Sequence, residues 1–407
     1  MTLANDSNQL DIWRSGLYYL INKLLKVEGS EMEYRMIPRS GTAVSRLGFG
    51  GLRLPVTKRN GVEKVDDELA FPLLRAAAAG GINYFDTGWG YVNEDSQRAM
   101  GEALHDIREQ VLFSNKLPLY LTEKPDDFWR FLDRELELMQ TDYIDFFHFH
   151  MVGKAFWKKI LDFRLLDFAE EAKSKGMIRN ICFSFHDVPS LMKEMIDTDV
   201  FDSLLCQYNL VDQGNEQMMA YARSRGMGVM VMGPNAGGNI AAGGNAFLSR
   251  YPDSPARTAT ELAMRFVWGN SDVDCALSGM ENMEMLEENL GYAEAAAGIT
   301  EEEWNYVRET TDRQFQISQL KETYCTGCRY CDVCPLGIRP FVTITAYNRW
   351  KIWGLEEGAR QSYRMIGVDP WQGKSPEDCI GCGTCSGYCP QHIDIPTVLH
   401  AAVKSFQ

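Results

Sequence analysis

The stretch "YIDFFHFH", Tyr143–His150, decides how the chain is read. It is a short apolar run between two polar, helix-patterned segments, which marks a buried strand. The stretch before it, "DDFWRFLDRELELM" (126–139), has the spacing of an amphipathic helix. The stretch after it, "FAEEAKSKG" (168–176), is a second helix that stops at Lys and Gly.

The same alternation runs outward in both directions. Candidate strands are "RLGFG" (46–50), "NYFD" (83–86), "VLFSNK" (111–116), "IRNICFS" (178–184), "SLLCQY" (203–208), "GVMVM" (228–232) and "VDCALS" (273–278). Eight strands, each followed by a helix over about 250 residues, predict an α/β fold of the (β/α)8 TIM-barrel type. A doubly wound sheet is the alternative, but it would place a Gly-rich phosphate loop after its first strand. "GFGGLRLP" (48–55) lacks that spacing and runs into no helix.

Strand ends then carry the chemistry. Asp86 ends the second strand, and Tyr91 follows five residues on. Lys116 ends the third, and His150 the fourth, with His148 on the same face one layer deeper. In such barrels the C-terminal strand ends form the site. Singly, Asp is a helix cap, Tyr a loop anchor, Lys a solvated cation and His a satisfied polar group. Together they suggest a proton donor, with the Lys ammonium lowering the Tyr pKa from about 10, Asp anchoring the Lys and His orienting a substrate oxygen. Trp89 and Trp157 are expected to shape the pocket.

Of 11 cysteines, eight fall in two runs, "CTGCRYCDVCP" (325–335) and "CIGCGTCSGYCP" (379–390). Cys379, Cys382, Cys385 and Cys389 have the C-x2-C-x2-C-x3-C-P spacing of a bacterial ferredoxin. Cys325, Cys328, Cys331 and Cys334 differ only by x2 before the last cysteine. Structural zinc is the rival reading, but zinc sites pair one C-x2-C with another 12 to 20 residues away. Cys182, Cys206 and Cys275 lie in apolar segments and read as core. Clustered thiols with no secretion signal suggest a reducing, cytoplasmic setting.

The division of the chain follows. Residues 1–32 form an N-terminal helical extension, too charged to span a bilayer. Residues 33–297 form the barrel and 298–319 a helical connector opening on a Thr cap with acids in its first turn. Residues 320–407 form a small α+β or helical iron–sulfur domain, whose 44-residue spacer between motifs suggests inserted helices. Net charge is −15, and the first 319 residues carry −16 of it, so a nucleic-acid partner is not expected.

The stretches "VSRLGFGG", "YFDTGWGY", "SNK", "DYIDFFHFH", "CFSFH", "CQYN" and "LEENL" resemble the aldo/keto reductase family, and the whole chain resembles its branch with a C-terminal ferredoxin-like domain. The resemblance implies Tyr91 as general acid with Lys116, Asp86 and His150. It implies Ser184 and Gln207 at a nicotinamide carboxamide, and Glu288 and Asn289 at an adenine. Met232 stands where many members stack an aromatic ring, and Phe185 where they carry Asn. Gly233 after strand seven and Ser278 and Gly279 after strand eight fall where a phosphate would be wrapped. It further implies one [4Fe–4S] cluster on Cys325, Cys328, Cys331 and Cys389 and another on Cys379, Cys382, Cys385 and Cys334.

No Lys or Arg occurs from Cys275 to Gly298, which favours NADH over NADPH. A nicotinamide yields two electrons at once, whereas a cluster passes one. A flavin, FMN or FAD, handles both, so it stays in play, bound here or on a ferredoxin or flavoprotein partner. The reading is therefore an oxidoreductase reducing a carbonyl or related unsaturated group of a small molecule, coupled to electron transfer. Its alternatives are an electron-transfer subunit whose barrel only docks, and clusters with a purely structural role.

Overall fold

The computed structural model describes residues 32–295, 299–315, 323–325, 331–369, 372–389 and 391–407. The helix expected on residues 1–31 lies outside them, as does Cys328.

The chain enters through an antiparallel hairpin, β1 (Tyr34–Ile37) and β2 (Thr42–Ser45). The first barrel strand is β3 (Leu47–Gly50). A second hairpin follows, β4 (Val56–Arg59) and β5 (Val62–Val65). The other barrel strands are β6 (Tyr84–Asp86), β7 (Leu112–Leu117), β8 (Ile144–Val152), β9 (Ile178–Phe185), β10 (Ser203–Gln207), β11 (Gly228–Met232) and β12 (Cys275–Ser278). All eight barrel strands are parallel, and β12 pairs with β3 to close the ring. Each of the eight matches a strand expected from the sequence to within one or two residues.

Apolar side chains fill the barrel's interior because alternate residues of every strand point inward. Tyr84, Phe146, Cys182, Leu205, Met230, Cys275 and Leu277 form that inner cluster. Ile37 and Val44 of the first hairpin join it and plug the N-terminal end of the barrel. The sequence reading missed both hairpins, since they fall outside the strand–helix alternation and the second is largely exposed. Cys182, Cys206 and Cys275 are fully buried, as expected.

Outside the barrel, apolar stripes of the helices pack on the strands. Helix Ser96–Leu104 approaches the end of helix Asp127–Leu138 so closely that a Cβ on Gly101 would lie 2.5 Å from the Met139 backbone. Helix Glu301–Phe315 starts on the expected cap, with Glu303 N donating to Thr300 Oγ1 at 3.1 Å. It docks on the barrel through Arg265–Glu303 (2.6 Å) and Arg308–Glu216 (2.6 Å), and through Trp304 Nε1, which donates to Phe266 O.

The C-terminal region is mainly helical, with helices Pro340–Lys351, Glu356–Arg364 and Ile395–Phe406 and two isolated bridges among its described residues. Two of these helices lie in the spacer between the cysteine motifs. Its own small core contains Cys331, Ile338, Phe341, Ile344, Cys385 and Leu399. Among the described residues no helix is long and apolar enough to cross a membrane.

Gly101→Ala is expected to cost about 1–3 kcal/mol, the range for overpacking against atoms that cannot yield. Urea denaturation of the two proteins, with midpoint and slope compared, measures it.

Candidate active site

The C-terminal ends of β6, β7 and β8 meet at one point. Asp86 ends β6 beside Ser114 of β7, and Ser114 Oγ donates to Asp86 Oδ1 at 2.7 Å. Lys116 lies two residues further along β7, on the same face. Its Nζ donates to Asp86 Oδ2 at 2.6 Å and to Thr87 O at 2.5 Å. Both side chains are almost completely buried. A buried pair of this kind holds only when further hydrogen bonds satisfy it, and Ser114 and Thr87 provide them.

Tyr91 reaches the same point from the loop after β6. Lys116 Nζ lies 4.9 Å from the centre of its ring, and the His150 ring lies 6.1 Å away, edge on. Gly88 leaves the room for this: a Cβ there would stand 3.2 Å from Tyr91 and 3.6 Å from His150. The next three residues, Val92, Asn93 and Glu94, all have positive φ. A β-branched residue rarely adopts that conformation, so surrounding contacts must hold it. The β4–β5 hairpin supplies them. Lys64 Nζ donates to Asn93 O at 2.8 Å, Asn93 Nδ2 donates to Glu63 O at 3.0 Å, and Val65 N donates to Asp95 Oδ2 at 2.9 Å. A hairpin that the sequence reading missed therefore braces the loop carrying Tyr91.

Electrostatics set each group's state. Burial works against the Lys116 ammonium, but Asp86 and Tyr91 outweigh it, and its pKa is raised. Burial raises the Tyr91 pKa, and Lys116 only partly offsets this, so the net shift is upward. That corrects the expectation of a lowered value: the sequence showed the neighbouring cation but not the burial. The phenol stays protonated at neutral pH. Burial, reinforced by Lys116, His186 and His148, pushes His150 well below 6.5, so its imidazole is neutral. His148 is pushed to about 3 by burial and Lys116, and its Nε2 faces Tyr84 Oη at 3.3 Å inside the barrel.

One further aromatic residue stands against the site. Tyr120 stands beside His150, ring centres 6.3 Å apart, and a Cβ on Gly90 would lie 3.1 Å from its hydroxyl. Trp89, expected to shape the pocket, is half-buried and packs on Phe131 at 4.8 Å. Trp157 does not shape it. It is buried in the outer core near Phe201, because the helix Lys154–Asp162 turns it toward the barrel.

Behind Lys116 lies Glu135, fully buried, with no hydrogen-bond partner for either carboxylate oxygen among the described residues. It occupies the inward stripe Phe128, Phe131, Leu132, Glu135 of its helix. A carboxylate at a stripe position was the signal the sequence offered. Burial raises its pKa well above 4.5, against the pull of Lys116.

The residues expected at a cofactor line the rim over β9 to β12. Ser184 is buried, and its Oγ accepts from Met151 N at 2.8 Å. Gln207 and Met232 end the paired strands β10 and β11. Gly233 has φ +64, and a Cβ on it would lie 2.7 Å from the Gln207 amide. Ser278 ends β12 and Gly279 follows it. On helix Met283–Ala295, Glu288 is exposed, whereas Asn289 turns inward and donates to Met285 O at 2.6 Å. A cation does stand at this rim. Arg53, from the loop after β3, lies against Gly279, donates to Gly237 O at 2.8 Å and pairs with Glu281 at 3.4 Å. Scanning residues 275–298 missed it because it arrives from the other end of the chain.

This barrel, with a buried Asp–Lys pair, a protonated phenol and a neutral imidazole at its C-terminal rim, matches known proteins. The sequence profile of the aldo/keto reductase family covers residues 46–312, and the chain belongs to that family. L-galactose dehydrogenase of Arabidopsis thaliana is 25% identical over 289 residues, 64% of this chain and 88% of that protein. Pyridoxal 4-dehydrogenase of Microbacterium luteolum is 23% identical over 345 residues, 68% of this chain and 96% of its own length. The holo form of aldo-keto reductase AKR11C1 from Bacillus halodurans superposes with a TM-score of 0.58 at 22% identity, covering 69% of this chain and 96% of its own. The family match ends before the cysteine motifs.

Glu135→Gln tests the buried acid. A carboxyl whose folded pKa is raised costs no stability below about 4.5, where it is protonated in both states. Above that, stability falls as pH rises toward the folded value, by ~1.4 kcal/mol per pH unit. The variant should therefore be more stable than the parent at pH 8, with the gain vanishing near pH 4.5, as measured by urea unfolding at both pH values.

Proposed function

We propose that the chain is a carbonyl-reducing oxidoreductase of this family that works on a small molecule and is coupled to two [4Fe–4S] clusters. The observation carrying the reductase reading is the convergence of Tyr91, Lys116, Asp86 and His150 on one point. The dehydrogenase names of two relatives, on L-galactose and on pyridoxal, support a small-molecule substrate.

A nicotinamide bound at the rim would supply the hydride. The chain's own residues do the rest. His150, neutral, donates to the substrate's carbonyl oxygen and orients it. Tyr91 Oη delivers the proton to that oxygen as it gains negative charge. The phenolate left behind is stabilised by the Lys116 ammonium, which Asp86 holds in place. Ser184 and Gln207 would hold the carboxamide. Arg53 would meet a phosphate, and because Glu281 partly neutralises it, NADH remains favoured over NADPH.

Cys334 of the first motif joins Cys379, Cys382 and Cys385 of the second around one cavity. That supports the crossed ligand set despite the shorter x2 spacing. Cys325, Cys331 and Cys389 all pack on the same small apolar core. None of the described cysteines is in a disulfide. Among the described residues no three ligand-type side chains converge tightly enough for one metal ion. A zinc ion needs its thiolates about 2.3 Å from a common centre. A cubane instead attaches each thiolate to a different iron, which suits thiols spread around a cavity. When bound, such clusters pass single electrons.

One edge of that cavity is exposed at Ile380, Leu336 and Cys382, with Val333 and Tyr388 exposed on neighbouring segments. This apolar edge favours a ferredoxin or flavoprotein partner, which would supply the FMN or FAD that links one- and two-electron chemistry. It equally suits an electron-transfer subunit. Clustered reduced thiols suit a cytoplasmic setting.

Tyr91→Phe should lower kcat for carbonyl reduction by about 10²–10⁴ with KM nearly unchanged. In the parent enzyme kcat should stay level from pH 7 to 9, because the Tyr91 pKa is raised and the His150 pKa depressed. A titration midpoint near 7 would place the proton elsewhere. Anaerobically purified protein should contain about eight irons and eight acid-labile sulfides per chain. Cys334→Ser should lose the cluster of the second motif. One zinc and no sulfide would end the cluster reading.

A further inference from the structure

The β4–β5 hairpin stands apart from the barrel. Its two strands pair only with each other, and Val65 is the one strand residue fully buried. A lone two-stranded hairpin contributes little stability of its own. Closure of the barrel does not require it, so what it holds becomes the question.

It holds the turn that follows Tyr91. The chain passes through Val92, Asn93 and Glu94 at φ 50, 52 and 66. Three successive side-chain-bearing residues in the left-handed region are unfavourable, and such a turn persists only where its surroundings over-determine it. Three successive residues of β5 do so. Glu63 O accepts from Asn93 Nδ2 at 3.0 Å, Lys64 Nζ donates to Asn93 O at 2.8 Å, and Val65 N donates to Asp95 Oδ2 at 2.9 Å. Asn93 is thus gripped by both its side chain and its backbone.

Asp95 shows where these contacts are directed. It occupies the N-cap of helix Ser96–Leu104, a position from which aspartate ordinarily accepts from its own helix. Here it makes no such bond, and its carboxylate serves the hairpin instead. Arg98 Nε fixes it there at 2.8 Å, and Arg98 Nη2 reaches Asp67 Oδ1 at 2.7 Å, where the chain leaves the hairpin.

The turn transmits this grip to the proton donor. Asp95 N and Ser96 N donate to Tyr91 O at 3.2 and 3.3 Å, and Tyr91 N donates to Gly88 O at 3.0 Å. Ser96 Oγ in turn donates to Gly51 O at 2.9 Å and accepts from Thr87 Oγ1 at 2.9 Å. The backbone of Tyr91 is therefore anchored at both ends, and the left-handed turn sets the angle between the anchors.

We propose that Lys64 and Asn93 are positioning residues for the proton donor: by clamping the left-handed turn to β5 they set where the Tyr91 phenol stands against Lys116 and His150. Neither touches the reacting atoms. This rests on the reading of Tyr91 as the general acid. Without the clamp the turn relaxes toward ordinary backbone and carries Tyr91 with it, which impairs proton delivery and spares substrate binding.

The test uses the full chain, purified anaerobically, with NADH and 4-nitrobenzaldehyde as the probe carbonyl and Tyr91→Phe as the control. Lys64→Met removes the donor and keeps the stem. Asn93→Gly removes the side-chain bond while suiting a positive φ, so folding should not weaken. In each variant kcat should fall about tenfold, and in the pair about 10²-fold, the cost of misplacing a reacting group by roughly 1 Å. KM and the thermal unfolding midpoint should stay nearly unchanged. Lys64→Arg, which keeps a donor, should retain most of the parent's kcat. A readout independent of turnover is the fluorine NMR spectrum of the chain labelled with 3-fluorotyrosine, where the line missing from Tyr91→Phe belongs to Tyr91. That line should move in both single variants. An unchanged kcat, or an unmoved Tyr91 line, would each overturn the proposal. A fall in kcat that tracks a lowered unfolding midpoint and is not rescued by Lys64→Arg would overturn it too, by making the clamp merely structural. Turnover that survives Tyr91→Phe would instead overturn the reading of Tyr91 as the acid. If the parent does not reduce the aldehyde, the fluorine line alone decides: its movement supports the clamp and its constancy overturns it.

Discussion

Closure of the sheet is the constraint on which the molecule depends. The pairing of β12 with β3, Ala276 with Leu47 through Ser278 with Phe49, turns eight parallel strands into a ring with no free edge. The ring closes over a dense interior. At Gly48 a Cβ would lie 2.6 Å from Leu277 and 2.7 Å from Cys275. Closure also directs all eight strand ends to one rim. Asp86, Lys116 and His150, dispersed along the sequence, become neighbours only because β6, β7 and β8 are adjacent in that ring.

At the rim, burial and charge act against each other, and the outcome defines the chemistry. Lys116 keeps its proton because Asp86 and Thr87 meet it. Its positive charge and the dry surroundings keep His150, His148 and His186 neutral. Tyr91 also keeps its proton, since burial weighs more than its cationic neighbour. The site thus presents one charged group, one phenol and one neutral imidazole. Glu135 adds a buried carboxyl behind them that no hydrogen bond supports among the described residues.

The C-terminal region is not a loosely tethered appendage. Tyr324, Ile352 and Trp353 belong to the barrel's core cluster, and Asn348 fixes the segment next to the first motif's leading cysteine. Cys325 and the barrel rim share a wall of one cavity.

The sequence by itself determined the barrel, its eight strands and the four rim residues. Strand periodicity and strand-end position are local properties, and the inward face of "YIDFFHFH" can be counted off residue by residue. It also placed the three core cysteines. What it left open arose from contacts between distant segments. The two hairpins are too short for a periodic signal, although one plugs the barrel and the other braces Tyr91. Arg53 reaches Gly279 and Glu281 from more than two hundred residues away. Trp157 points inward because of how its helix packs. The upward shift of Tyr91 and the packing of Tyr324 in the barrel's core cluster depend on burial, which no local pattern encodes. Only the tertiary structure decided these, because each one is set by which surfaces the closed barrel leaves for other segments to cover.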